Sequence, residues 1–145
     1  MAKDNSTVEV GDVVRICLDN LKGKGEHYLP EWVTPKMKKF DGVEAEVIRV
    51  VKLAPSASAY ELDGVTNWKD MPYTWTREAL IKLNTTYMWT YKESVDDEYP
   101  KYIEYSIAKL AEKVGVSVHA IRTSISRTER GLTGASRYGR IKLEE

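Results

Sequence analysis

The sequence predicts an α+β protein: a small antiparallel β-barrel followed by a β-hairpin and two short helices. Three observations carry that reading. Residues 7–83 hold short runs rich in β-branched and aromatic side chains, separated by Gly, Pro and Asp turns at near-regular spacing. Residues 87–105 hold two aromatic, strand-like runs around an acidic turn. Residues 106–127 change to apolar steps of three and four, the repeat of a helix face. The expected modules are 7–83 and 86–143.

The chain's 145 residues suit one domain or two very small ones. With 42% hydrophobic and 30% charged residues it has the composition of a folded globular chain. The net charge is zero, which excludes a general polyanion binder, but the charge is unevenly spread. Residues 1–85 carry 12 Lys and Arg against 13 Asp and Glu, whereas residues 101–145 carry 9 against 5. Five of the eight arginines lie between Arg122 and Arg140, opposed there only by Glu129. An electrostatic footprint needs such polarity. The single cysteine, Cys17, cannot alone build a disulfide framework or a thiolate metal site. No apolar stretch approaches the roughly 18 residues of a membrane span, and the first residues lack an apolar signal region. The expected compartment is a reducing cytoplasm, with no membrane partner.

Along the barrel region, Val8, Val10, Val13, Val14, Ile16 and Leu18 read as strand around a Gly11-Asp12 turn or bulge. Residues 22–26 read as a loop and residues 30–35 as a kinked connection, because each Pro restricts the residue before it. Phe40-Asp41-Gly42 is a turn, and residues 43–51 a partly buried strand. Glu44 and Glu46 fall on one face of it, read as the solvent side. Residues 55–58 are a loop, 60–64 a short strand, and Trp68, Met71, Pro72 and Trp75 an aromatic loop. Residues 76–83 fit a single turn and a final strand. Trp32, Tyr60, Trp68, Tyr73 and Trp75 can either fill a core that has only one Phe or line a peptide groove. Trp68, between Asn67 and Lys69, is the one expected to be exposed.

In the second module, residues 87–91 and 99–105 form the expected hairpin strands, and residues 137–143 a closing strand against them. Ser106 stands where an N-cap belongs, before Ile107, Leu110, Ala111 and Val114 on one helix face. Gly115 suits a left-handed turn, and Ser117 can cap a second helix whose Val118, Ile121 and Ile125 face the first. On a second helix over 118–127, His119, Ala120, Arg122, Thr123 and Ser126 point outward. Arg reads guanine bidentately, and Thr and Ser bond base edges or phosphates. Arg127, Arg130, Arg137, Arg140 and Lys142 are placed for phosphate contacts, each adding roughly 0.9 to the salt slope on B-DNA. A solvated basic face that touches no nucleic acid, with arginines suiting the helix C-terminus, is the plainer alternative.

These residues also carry two resemblances. Gly11-Asp12-Val13-Val14-Arg15, Trp32, Met37, Phe40-Asp41-Gly42, Val47, Val50, Tyr60, Leu62-Asp63-Gly64, Trp75 and Leu80 resemble SH3-like barrels of the Mind-bomb type, over residues 7–83. This implies a barrel that serves protein interaction or dimerisation. Small Ala111 four residues before Gly115 resembles the helix-turn-helix family. The hairpin ahead of the helices and the Ile125-Ser126-Arg127 ending are similar to short phage-encoded DNA-binding proteins. The resemblance implies a phage or prophage regulator of transcription that binds duplex DNA, as a possible homodimer, in the cytoplasm of a bacterial host. The rival expectation is an anti-defence protein of the anti-CRISPR kind, which inhibits a host nuclease by protein–protein contact. Trp68, Asp96 and Asp97 are then the partner-binding residues.

An enzyme has no residue constellation behind it. His27 and His119 lack the carboxylate or thiol pattern of a metal centre or catalytic dyad. Asp96-Asp97-Glu98 lacks calcium-loop spacing. No phosphate-binding glycine loop, nucleophile elbow or cofactor fingerprint occurs, so no catalytic residue, metal or cofactor is assigned.

Overall fold

The structure, a computed structural model, describes residues 7–22, 30, 32–55, 57–69, 71–131 and 134–144. His27 and most of the loop expected at 22–26 lie outside the described residues. The protein is α+β with antiparallel sheets. The chain divides into two compact units, Met1–Leu83 and Asn84–Glu145.

The first unit is built on strands β1 (Val13–Ile16), β2 (Glu44–Ala54), β3 (Ala57–Thr66), β4 (Pro72–Thr76) and β5 (Leu80–Lys82). They form one sheet in the order β4-β3-β2-β1-β5. β2 changes partners along its length. Residues 44–46 pair with β1, residues 47–54 pair with β3, and the register shifts between Val47 and Arg49. A bulge at such a point bends a strand and lets it pass from one ladder to the next. The core inside the bend is apolar and includes Val14, Ile16, Val47, Leu62, Trp75 and Leu80.

Several sequence expectations change here. Residues 72–76 are a strand rather than an aromatic loop, since Trp75 pairs opposite Tyr60 and is fully buried. Pro72 opens that strand, a place that tolerates a missing N–H. The aromatic set divides: Trp75 and Tyr60 are core, Trp32 meets the Trp75 ring edge-on at 6.4 Å, and Trp68 is 77% exposed. The loop expected at 55–58 shrinks to a tight turn, because Ala57 already pairs with Ala54. Of the run 8–18 only 13–16 form a strand, and a 3-10 turn follows at Leu18–Leu21. Helix α1 (Pro35–Lys38) stands in the connection read as kinked; Thr34 Oγ1 accepts from the Met37 N–H and Pro35 supplies a preset φ. Glu44 is exposed, but Glu46 is 1% exposed. Ala45, Glu46 and Val47 are all buried where β2 changes ladders, so alternation fails at that corner. The turn and strand read over 76–83 appear as a 3-10 turn, Arg77–Ala79, and β5.

The second unit has strands β6 (Thr85–Tyr91), β7 (Tyr102–Glu104) and β8 (Tyr138–Glu144), in the order β7-β6-β8. β7 starts later than read, after Pro100, which has no N–H for a ladder. The closing strand pairs with β6 alone. Directly opposed residues share a face, so three rows cross the sheet. Tyr102, Tyr91 and Tyr138 form the first, Glu104, Trp89 and Arg140 the second, and Tyr87 and Lys142 the third. Helices α2 (Ile107–Val114) and α3 (Val118–Glu129) follow β7. α2 packs on β6 and β7, and α3 on α2 and β8. Among the described residues, Trp89, Ile107, Leu110, Ala111 and Ile121 are the buried apolar ones of this unit.

Truncating a buried leucine loses both its transfer free energy and the packing of the hole it leaves. Leu62→Ala, at 0% exposure, is expected to destabilise the first unit by about 2–5 kcal/mol. Leu53→Ala, at 67% exposure on the same β2–β3 hairpin, should change stability by roughly 0.5 kcal/mol or less. Urea denaturation followed by tryptophan fluorescence separates the two; equal losses would contradict the core described.

Candidate nucleic-acid interface

α3 is positioned by its ends and one buried anchor. Ser117 Oγ accepts from the Ala120 N–H at 3.0 Å and caps its N-terminus. Upstream, Ser106 Oγ accepts from the Lys109 N–H, and α2 ends at Gly115 in the left-handed region, φ 86°. Gly115 and Val116 both donate to the Ala111 carbonyl, which closes the turn tightly. Ile121 is buried on the inner face of α3. His119 and Arg122 lie roughly 160° and 100° around the helix from it.

That outer side forms a shallow concavity lined by His119, Arg122, Thr123, Ser126, Arg127 and Arg130. Six of the expected nucleic-acid residues therefore meet on one surface. His119 and Thr123, one turn apart, lie 3.3 Å apart through Nε2 and Oγ1. The segment entering β8 is held against α3 by hydroxyls. Thr128 Oγ1 lies within donating distance of the Ser124 and Gly134 carbonyls, Ser124 and Ser136 hydroxyls meet at 2.7 Å, and Ser136 Oγ accepts from the Tyr138 N–H. These contacts set Arg137 beside α3, in a second, larger cleft that also takes in His119, Thr123 and Arg127. Arg137 Nη1 reaches the Glu93 carbonyl at 3.5 Å.

Arg140 and Lys142 line neither concavity. The Arg140 guanidinium lies 4.8 Å from the Tyr87 ring centre and 5.6 Å from that of Trp89. Packing on ring faces occupies it in a way that sequence spacing did not reveal. Lys142 is exposed, opposite Tyr87. Sequence reasoning missed the cleft's tyrosines, Tyr91 and Tyr138. The alternation of aromatic residues through 87–91 was the available signal, but only strand register brings Tyr138 beside them.

The expected partner-binding residues sit on two separate units. Trp68 is presented by a turn in which Asn67 Oδ1 accepts from the Lys69 and Met71 N–H groups. The Lys69 ammonium lies 4.8 Å from the Trp68 ring centre. Asp96 and Asp97 are exposed, and Asp97 Oδ2 accepts from the Ser94 N–H at 3.0 Å, so one of the two carboxylates closes its own turn. Among the described residues, no group of three or more His, Cys, Asp and Glu side chains is placed to hold a metal ion, and no helix is long and apolar enough to cross a membrane. The chain matches no family model, no curated protein and no solved structure.

Three titrating groups of the second unit are shifted upward. A hydrogen bond from Lys113 to Glu104, reinforced by the carboxylate's charge, raises the lysine above its ordinary 10.5. Glu93 does the same for Lys101. Burial pushes the Tyr138 phenol up, with Tyr91 adding to the shift and Arg137 opposing it. A folded-state pKa above the unfolded one stabilises fully below the unfolded value, and that contribution is lost as pH rises through the folded value. The second unit should therefore hold to about pH 10 and weaken above it. In Glu104→Gln the Lys113 titration, followed by side-chain NMR, should fall back toward 10.5. An unmoved titration would mean that the pair does not form in solution.

Proposed function

We propose that the protein is a non-enzymatic nucleic-acid-binding regulator of phage or prophage type, reading double-stranded DNA with α3. The observation that carries this is the gathering of Arg122, Arg127 and Arg130 with His119, Thr123 and Ser126 around one concavity on α3. Three guanidinium groups and two hydroxyls on a helix suit a negatively charged groove that presents base acceptors. In this reading α2 and α3 act as a helix-turn-helix unit. Arg122, Thr123 and Ser126 face bases, while Arg127, Arg130 and Arg137 neutralise phosphates. Arg140, stacked on Tyr87 and Trp89, supports the sheet and lends its charge from there.

The first unit is read as an SH3-like barrel. Its support is a five-stranded antiparallel sheet in which β1 joins β5 to the β2–β3–β4 meander, together with the bend in β2. Its role in this proposal is to bind a protein or a second copy, since one two-helix module offers little surface for specific affinity. A second reading rests on Trp68 and Met71, large apolar side chains exposed on one turn of this unit. It makes the protein an anti-defence inhibitor that docks on a host nuclease through that turn.

The test is duplex binding by fluorescence anisotropy at two salt concentrations. The parent should bind with a log–log salt slope of about −2.7 to −3.6, for three or four neutralised phosphates. Arg122→Glu together with Arg127→Glu should weaken binding by more than about tenfold. Absence of binding at low salt would sink the DNA reading and favour a pull-down with Trp68→Ala as control.

A further inference from the structure

The larger cleft of the second unit includes tyrosines and valines in its lining that duplex binding does not require. It is an open cleft of about 900 Å³, within the range of roughly 300–1,000 Å³ typical of small-ligand sites. Its contributions come from α3, the end of α2 and the turn after it, the end of β6 with the loop that follows, and the start of β8 with the segment that leads into it. Three chemistries converge in it. Tyr91 and Tyr138 offer ring surface, with centres 5.2 Å apart, and Tyr102 stacks behind Tyr91 at 6.1 Å. Val114 and Val116 add an apolar wall. Arg127 and Arg137 both line the same space, and Arg137 Nη1 also reaches the Glu93 carbonyl at 3.5 Å.

A ligand that uses all three has a flat ring, little charge on that ring, and an anion attached to it. A ring alone would leave both arginines unused. A bare anion would leave the tyrosines and valines unused. We propose that this cleft binds a single nucleotide unit, its base against Tyr91 and Tyr138 and its phosphate between Arg127 and Arg137. The same chemistry is offered by a free mononucleotide and by an unpaired nucleotide at the end of a strand. His119, Thr123 and Arg127 line both this cleft and the α3 concavity, so a strand lying along α3 would reach it. The strand source rests on the DNA reading above; the mononucleotide source does not.

The rings are well fixed for such a role. Tyr91 lies directly opposite both Tyr102 and Tyr138 in the ladders, so the tyrosine row is set by strand register. The Ser136 hydroxyl holds the Tyr138 N–H at 3.0 Å and also meets Ser124 of α3. Base stacking on aromatic side chains is tolerant of sequence, which suits a site that accepts any strand end.

The experiment uses the full chain and two probes. The first is deoxyadenosine 5′-monophosphate, with deoxyadenosine and inorganic phosphate as controls, followed through the aromatic NMR signals of Tyr91 and Tyr138. The second compares a blunt duplex with the same duplex carrying one unpaired 3′ nucleotide, by anisotropy. The mononucleotide should shift both tyrosine signals and bind about tenfold or more tighter than either control. Tyr138→Leu should weaken it by about tenfold, and Ala135→Trp, at an exposed lining position, should block the cleft if the first variant does not fold. Tighter binding of the overhang duplex assigns the site to strand ends; mononucleotide binding with equal duplex affinities assigns it to free nucleotides. No tyrosine shift at millimolar mononucleotide, together with equal duplex affinities, overturns the proposal and leaves the DNA reading standing wherever the blunt duplex binds. Mononucleotide binding without any duplex binding sinks the DNA reading and keeps the cleft.

Discussion

Between the serine that caps α2 and the serine that caps α3, the chain must stop one helix and start another at a new angle. Gly115 does this at φ 86° and ψ 30°, a conformation that costs an L side chain roughly 1 kcal/mol or more and glycine almost nothing. The turn sends Gly115 and Val116 N–H groups back to the Ala111 carbonyl, and Ala111 is itself buried beside Leu110. From there Ile121 inserts into the core, and its insertion decides which side of α3 is left outside. The arginine-bearing face is thus a consequence of how the turn is made. Without that turn Arg122, Arg127 and Arg130 would still share a side of α3 through its own period, but nothing would set that side outward.

Aromatic rings play different parts in the two units. In the first, Trp75 and Tyr60 fill a small bent sheet from within, in a chain whose one Phe, Phe40, only packs against that core. In the second, Trp89 is buried while its row-mates Glu104 and Arg140 reach outward to Lys113 and back over the rings. One sheet face therefore combines apolar cover for α2 with fixed charges at either end. Exposed pairs of this kind each contribute little to stability. Their value here is orientation, because they hold side chains on defined sides of the sheet.

Helix caps and periodicity were the most legible signals. Ser106, Gly115 and Ser117 announced both helices because capping chemistry is local and needs no partner elsewhere in the chain. The outward residues of α3 followed from its period, with Ile121 as the reference point. Trp68 was legible for a similar reason, since Asn67 makes its own turn. What sequence could not supply was long-range. Tyr138 joins Tyr91 only through β6–β8 register, and Arg140 meets Tyr87 only across the same ladder. Glu46 looked solvent-facing because alternation assumes one covered face, whereas β2 at that point has both faces covered. α1 was missed because four residues are too short to show a period; only Thr34-Pro35 marked its start.

The bend in β2 has a consequence for how the first unit comes apart. One continuous strand supplies residues 44–46 to the ladder with β1 and residues 47–54 to the ladder with β3. Val47 is a hinge between them: its N–H and carbonyl bond Asp12 and Gly11, while its Cα partner is Leu62 of β3. Neither ladder can be released without removing an anchor of the other. Local opening should therefore stop at the sheet's free ends, and the amides around Val47 should exchange only when the whole unit unfolds.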